Sequence, residues 1–238
     1  MLELIRRFYD AIRNENVVEV SEEEPPLTHV KVFHKAYPRF ARVKLQDIND
    51  EGSQLEDLLN IRKSTRSFSD VPLSLKDISK ILHSCRIVDI ERDPEKRTYP
   101  SGGARFPVEL YLINYNINDL NHGAYHYNMV DDSLELLLEE DLKPKRRDLI
   151  SPFLDNPAAT LIFTSVISRS EVKYGARAYP YSLLEAGHMG QNIQLACAEI
   201  GIGCCSVSGF IDRTVKEILD LDNEELPIYS ISLGWKKV

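Results

Sequence analysis

At 238 residues the chain can build one substantial core, whereas two independent domains would each be small. Its 29 basic and 37 acidic residues leave a net charge of −8, which argues against a nucleic-acid partner, and Cys85, Cys197, Cys204 and Cys205 form no CxxC pair that would suggest zinc or a disulfide scaffold. No stretch reaches the roughly 18 uninterrupted apolar residues of a membrane span and the opening lacks a signal peptide's apolar core, so a cytoplasmic protein with neither membrane nor nucleic-acid partners is expected.

Leu2, Ile5, Phe8, Tyr9 and Ile12 repeat at helical spacing and predict an N-terminal helix laid over the core. The acidic SEEEPP that follows reads as a linker, and the stretch containing His29 and His34 reads as extended, with no matched ligand partners for either histidine. Residues 1–50 are therefore expected to form an extension packing on a domain that spans 51–238. From Gln54, QLEDLLNIR predicts a short helix leading into Arg62-Lys63-Ser64-Thr65-Arg66. In an extended backbone alternate side chains share a face, so Arg62, Ser64 and Arg66 can converge on one anion, and guanidinium donors match phosphate oxygens in pairs. A solvated basic run at a helix end is the competing reading.

Ser74, with Asp77 three residues on, predicts a capping box opening a second helix. Ser101-Gly102-Gly103 then leaves several backbone N–H groups uncovered, which suits contact with a planar or anionic ligand as well as it suits a plain turn. Strands are predicted over 108–115, near Leu136, over 159–166 and in ELPIYSISLGWKKV at the C-terminus, and a helix over 213–219.

The stretch 173–209, KYGARAYPYSLLEAGHMGQNIQLACAEIGIGCCSVSG, carries the most confident helix, predicted over 181–200. Leu184, Ile193, Ala196, Cys197 and Ile200 mark its apolar period, Gly201 its left-handed cap, and His188 reads as a packed helix residue. Gly187 and Gly190 each cost about 1 kcal/mol of helix propensity relative to alanine, so a second helix, a flat ligand or close packing within the chain must approach there. Gly201 and Gly203 begin a dinucleotide fingerprint, but Ser206 replaces the third glycine and the turn follows a helix instead of a strand. A Rossmann site is thereby rejected. Strands and helices interleave without a regular βαβ rhythm, which predicts an α+β fold.

RKSTRSF at 62–68, YPSGGARFPVELYLI at 99–113, GAYHY at 123–127, RAYPYSLLEAGHMGQN at 177–192 and GIGCCSVSGF at 201–210 together resemble the SagB-type dehydrogenases. These are the branch of the FMN-dependent nitroreductase superfamily that oxidises azolines to azoles in peptides. The resemblance implies a nitroreductase-like fold: a central mixed, mainly antiparallel sheet flanked by helices, in an intertwined homodimer with FMN at the interface. It implies that Arg62, Ser64 and Arg66, assisted by Lys236, cradle the phosphate and ribityl chain. Ser101 and Gly102 would be flavin contacts from the other subunit, Gln191 would also reach the cofactor, and Ser208 and Gly209 would face the flavin N5 and O4 edge. Lys173-Tyr174 matches the Lys-Tyr pair of azoline dehydrogenases, the ammonium favouring the phenolate; in a regular strand neighbours point apart, so the pair is expected to converge in a loop that Gly175 permits. His126 and Tyr127 are candidates for the substrate mouth.

Arg105-Phe106 departs from the commoner Leu-Tyr of the SGGALYP motif, and the N-terminus is short for the family, which implies reduced peptide-handling segments. A cyclodehydratase and an azoline-bearing peptide are the partners that the resemblance implies, and no metal is expected. A general NAD(P)H-dependent nitro- or quinone reductase needs the same cradle without the Lys-Tyr pair, and a flavin-binding scaffold subunit needs no turnover at all.

Overall fold

The computed structural model describes residues 2–13, 15, 38–45 and 52–237; the acidic stretch 21–26, His29 and His34 lie outside them. In chain order these residues form α1 (Leu2–Ile12), α2 (Gln54–Ile61), β1 (Leu73–Ser74), α3 (Leu75–His83), β2 (Ile87–Asp89), β3 (Lys96–Arg97), β4 (Val108–Asn114), β5 (Ile117–Asn118), β6 (Gly123–Asn128), β7 (Ser133–Glu139), α4 (Arg146–Leu149), β8 (Ala159–Val166), α5 (Ser168–Tyr174), α6 (Ala178–Glu199), β9 (Gly203–Val207), α7 (Asp212–Leu219) and β10 (Glu225–Gly234).

A six-stranded sheet in the order β7-β6-β4-β8-β10-β9 is antiparallel at every pairing. Parallel pairing enters only locally among the described residues, in the β1–β5 pair, where Ser64 bridges Cys204 of β9 and where Ser67 bridges Asp155. Side chains of a strand alternate between faces, and β4 and β8 use both. Leu110, Leu112, Leu161 and Phe163 point into the larger core, with Ile78 and Ile81 of α3 and Met189 and Ile193 of α6. Tyr111, Ile113 and Ile162 point the other way, onto Val215, Ile218 and Leu219 of α7. With both faces covered, β8 is buried from Ala159 to Ser165, the polar Thr160, Thr164 and Ser165 included.

The capping box forms as expected: Ser74 Oγ accepts from the Asp77 N–H at 3.1 Å, and the Ser74 N–H donates to Asp77 Oδ2 at 2.9 Å. α1 seats Ile5 and Tyr9 in the core, with Phe8 edge-on to Tyr179 at 5.8 Å and the Tyr9 hydroxyl donating to Asp212. Among the described residues no helix is long and apolar enough to cross a membrane.

α6 departs from the expected pattern in three ways. It begins at Ala178, its buried stripe runs through Ser182, Glu185, Ala186, Met189, Gly190, Ile193 and Cys197, and Leu184 is 61% exposed. His188 is exposed as well. A Cβ on Gly190 would stand 2.8 Å from Tyr229 Cε1, so a β10 side chain of the same chain explains that glycine, whereas Gly187 faces open space. The segment after Gly201 forms the edge strand β9, with Gly201 in the expected left-handed conformation (φ 75°) ahead of it.

Candidate functional site

α2 ends at Ile61, and the chain then runs along the sheet edge, held by backbone bonds on two sides. The Thr65 N–H donates to the Cys204 carbonyl at 2.8 Å, and the Asp155 N–H donates to the Arg66 carbonyl at 2.9 Å. The Ser69 N–H donates to the Trp235 carbonyl at 2.8 Å, and the Lys237 N–H to the Ser67 carbonyl at 3.3 Å. Gly203 permits the approach, since a Cβ there would stand 2.8 Å from Thr65 Cγ2.

These bonds bring Arg62, Ser64, Arg66 and Lys236 around the start of β9. Contact with Cys197 and the positive charges of Arg62 and Lys236 hold the Cys204 thiol below its usual range, against the effect of burial. Burial pushes the Cys205 thiol up, opposed by Arg66 and by the Ser64 hydroxyl. Among the described residues none of Arg62, Arg66 or Lys236 forms an ion pair with a carboxylate. Arg62 donates to the neutral Gln194 Oε1 at 3.3 Å, and the Arg66 guanidinium lies 5.9 Å from the Phe153 ring centroid. Two guanidinium groups, an ammonium and a hydroxyl converging without an acidic partner are what a phosphate monoester requires, so this donor set fits FMN.

Gln191 is half-buried on α6, one turn before Gln194. Gln194 was not singled out in the sequence; its spacing from Gln191 on one helix face was the available signal. Beyond β9, Ser208 is exposed, and Gly209 lies so close to Ser151 that a Cβ would meet its hydroxyl.

The second cluster surrounds the turn at Gly102–Ala104. The Ala104 N–H donates to the Ser101 carbonyl at 3.1 Å, and the Phe106 N–H to Ser101 Oγ at 2.9 Å. Gly103 is left-handed (φ 62°), and a Cβ there would meet the Tyr174 hydroxyl and stand 2.9 Å from Lys173 Nζ. Gly102 stands against the Tyr181 ring, 3.5 Å from where its Cβ would be. Lys173 Nζ is 5.3 Å from the Tyr174 ring centroid, and Tyr174 packs edge-on to Tyr181 at 5.0 Å.

Lys173 and Tyr174 therefore converge, but from the last turn of helix α5 and not from a loop. Consecutive residues on a helix are about 100° apart, so long side chains of neighbours can reach one point, as those of a strand cannot. Gly175 ends the helix (φ 55°) and lets α6 turn away.

Glu185 on α6 lies behind the same turn. It is 2% exposed, its Oε1 accepts from the Val108 N–H at 3.4 Å, and its Oε2 has no hydrogen-bond partner among the described residues. Burial pushes its carboxyl up to about 7, opposed by Ser101, Val108, Arg97 and Arg169. His126 and Tyr127 are engaged within the sheet. His126 sits between Glu109 at 3.0 Å and Glu135 at 2.8 Å, and buried Tyr127 donates to Asp132 at 2.6 Å.

A model of the nitroreductase family matches residues 59–235. MJ1384 of Methanocaldococcus jannaschii, named as a nitroreductase, is 32% identical over 196 residues, 82% of this chain and 96% of that protein. The microcin B17-processing protein McbC of Escherichia coli is 30% identical over 208 residues, 83% of this chain and 75% of McbC. Among solved structures, a chain of the E. coli microcin synthetase McbBCD complex with truncated pro-MccB17 bound superposes with a TM-score of 0.83 at 24% identity, covering 100% of this chain and 93% of its own. The family match takes in Arg62, Ser64 and Arg66 of the cationic cradle and the Lys173–Tyr174 turn: the chain belongs to the nitroreductase family and is an FMN-dependent oxidoreductase.

Proposed function

We propose that the protein oxidises a thiazoline or oxazoline ring of a peptide to the azole. The observation that carries this reading is the meeting of Lys173 Nζ and the Tyr174 hydroxyl at Gly103. Forming the azole removes a hydride from one ring carbon and a proton from its neighbour, so the site needs a base beside the electron acceptor. Bound FMN supplies the two-electron acceptor. Tyr174 acts as the phenolate, whose oxygen takes the ring proton and becomes the hydroxyl, and the Lys173 ammonium sets a positive charge beside that oxygen. Arg62, Ser64, Arg66 and Lys236 hold the phosphate end, Gln191, Ser208 and Gly209 line the flavin, and Ser101 and Gly102 complete the site.

The working form in this reading is a homodimer in which one subunit's cradle meets the other's Ser101 turn. Two observations favour it. Glu185, behind the turn, and Gln194, at the cradle, lie on the same α6 but about 14 Å apart along its axis. Leu55, Leu59 and Ile61 of α2 and Leu183 and Leu184 of α6 are exposed apolar side chains, ready for burial by a second copy. The likeness to McbC, and to a complex holding a truncated pro-peptide, supports a cyclodehydratase and an azoline-bearing peptide as partners.

A general NAD(P)H-dependent nitro- or quinone reductase is the second reading, favoured by the likeness to MJ1384 over nearly its whole length. FMN-loaded protein given a thiazoline peptide and, separately, a quinone with NAD(P)H decides between them. Loss of two hydrogens from the peptide by mass spectrometry is expected; quinone turnover with an unchanged peptide would favour the second reading.

A further inference from the structure

The sheet ends on one side at β7, and among the described residues the β7 backbone pairs only with β6, so its outer edge is open. An edge strand is normally blunted by charge at its centre, by a bulge or by being very short. β7 runs seven residues and puts Leu136 and Leu137 at its centre, each 46% exposed. Its register slips between Leu136 and Leu138, which leaves Ser133–Leu136 as the regular run that another strand can pair with.

Cross-strand partners share a face. Leu134 and Leu136 lie opposite Tyr127 and Tyr125, whose side chains point into the core that α3 covers, and Glu135 lies opposite His126 on the other face. Beside Leu134 a mainly apolar groove of about 320 Å³ opens between β7 and α3, walled by Leu75, Ile78, Leu82, Leu120 and Tyr127. The surroundings of the edge are acidic: Asp131 and Asp132 precede the strand, Glu135 and Glu139 stand within it, and Glu140 and Asp141 follow. His83, His126 and Lys145 face Asp132, Glu135 and Glu140, while Asp131, Glu139 and Asp141 form no ion pair among the described residues.

We propose that the β7 edge is a docking site for an extended segment of the peptide substrate, alternating apolar residues that enter the groove beside Leu134 with basic residues that face Glu135. This rests on the reading of the protein as acting on an azoline-bearing peptide. A strand added at an edge gains main-chain hydrogen bonds, and its alternate side chains fill pockets on one face. A second copy is the poorer occupant, because pairing two β7 edges would set the carboxylates of one against those of the other. Position favours the substrate. Tyr111, His126 and Glu135 form one row across the sheet, so β7 lies two strands, about 10 Å, from β4, which starts at Val108 where the Gly103 turn ends. Glu135 also closes a row of side chains that runs through His126 and Glu109 to Arg169 on α5, the helix that presents Lys173 and Tyr174. A spacer of about six extended residues reaches from the edge to the reacting ring.

Fluorescence anisotropy of a labelled peptide on the FMN-loaded protein reads the docking without turnover. The probe alternates valine and lysine over about six residues, a usual strand length, and the control alternates valine and glutamate. The lysine probe should bind saturably, more weakly as salt rises, and the glutamate control should not bind; equal behaviour of the two overturns the proposal. In a strand the N–H groups of alternate residues point to opposite edges, so N-methylation of the valines or of the lysines should abolish binding in one case only. Loss in both, or in neither, overturns strand addition. Leu136→Lys should lower affinity about tenfold, and Glu139→Lys, at an exposed side chain, repeats the test if Leu136→Lys does not fold; unchanged affinity in the folded variant overturns the site. Neither variant should change sedimentation, and dissociation of an oligomer by either would assign the edge to a second copy and overturn the proposal. Thiazoline peptides carrying the two flanks separate this from the functional reading: KM should be about tenfold lower for the lysine flank at equal kcat. Probe binding without azoline oxidation leaves the docking edge standing and removes the functional reading, whereas azoline oxidation with one KM for both flanks removes the docking edge alone.

Discussion

The Tyr174 hydroxyl occupies the space that a side chain at Gly103 would need. Glycine is required there twice, by that contact and by the left-handed backbone at φ 62°. Gly103→Ala should therefore cost about 1–2 kcal/mol through its backbone and push Tyr174 and Lys173 off the turn. Azoline oxidation should fall much further than quinone reduction, as steady-state assays of both acceptors on one preparation would report; an equal fall would mean that the turn serves the cofactor alone.

Tyr174→Phe leaves the edge-on packing against Tyr181 possible and removes only the oxygen. FMN content should be unchanged while azoline oxidation drops by about 10² to 10⁴, the contribution of a positioned base. Lys173→Ala should lower the same activity without touching quinone reduction, which takes no proton from carbon. Retained azoline oxidation in both variants would reduce the pair to a helix end that happens to touch Gly103.

Arg66 has no carboxylate partner among the described residues, so its charge is available to a phosphate. Losing one charged hydrogen bond to that group costs about 1.5–3 kcal/mol, roughly ten- to a hundredfold in FMN affinity. Arg66→Ala should show this in a fluorescence titration, with a further loss at high salt, where the remaining cations are screened. Unchanged affinity would remove Arg66 from the cradle.

Local pattern made much of this legible. The Ser74–Asp77 capping box, β8 and the α1 helix lie where periodicity and capping chemistry predict them. Alternation in Arg62-Lys63-Ser64-Thr65-Arg66 suggested a shared face, and the bonds to Cys204 and Trp235 supply the extended backbone that this needs. What was not legible depends on residues distant in sequence. Leu184 looked like a core position because composition says nothing about which helix face meets the sheet. Gly190 is small because of Tyr229, thirty-nine positions later, and Glu185 matters only because the 101–108 loop folds against it.

Gly190 offers a check on that distinction. Gly190→Leu would drive into Tyr229 and should destabilise the fold by about 1–3 kcal/mol, lowering the midpoint of urea unfolding whatever the oligomeric state. Leu184→Glu, on the exposed face, should instead leave the unfolding of the isolated subunit alone and release the proposed dimer in sedimentation. If Gly190→Leu dissociates the protein without lowering subunit stability, the glycine belongs to the interface after all.

His126 carries a prediction about the helix that presents Lys173 and Tyr174. Its ring lies between Glu109 and Glu135, and Glu109 also pairs with Arg169 in the first turn of α5. The hydrogen bond to Glu109, with Glu135 assisting, raises the His126 pKa against the effect of burial. Burial works to raise Glu109 as well, but His126 and Arg169 outweigh it and leave the carboxyl low. A histidine raised on folding contributes stability that is complete below its unfolded value, about 6.5, and is lost as pH rises through the folded value. A carboxylate lowered on folding contributes above its unfolded value and loses that as pH falls. The trio is thus firmest in mildly acidic solution and weakens above neutrality from the His126 side. Glu185, raised on folding, also loses stability with rising pH, so the wild-type slope alone does not isolate His126. Subtracting the His126→Gln melting profile from the wild-type one does. The difference should be largest in the acidic range and shrink as pH rises, and His126→Gln should keep its FMN while α5 loosens and azoline turnover falls modestly. A difference that is flat with pH would show that His126 stays neutral between its two carboxylates.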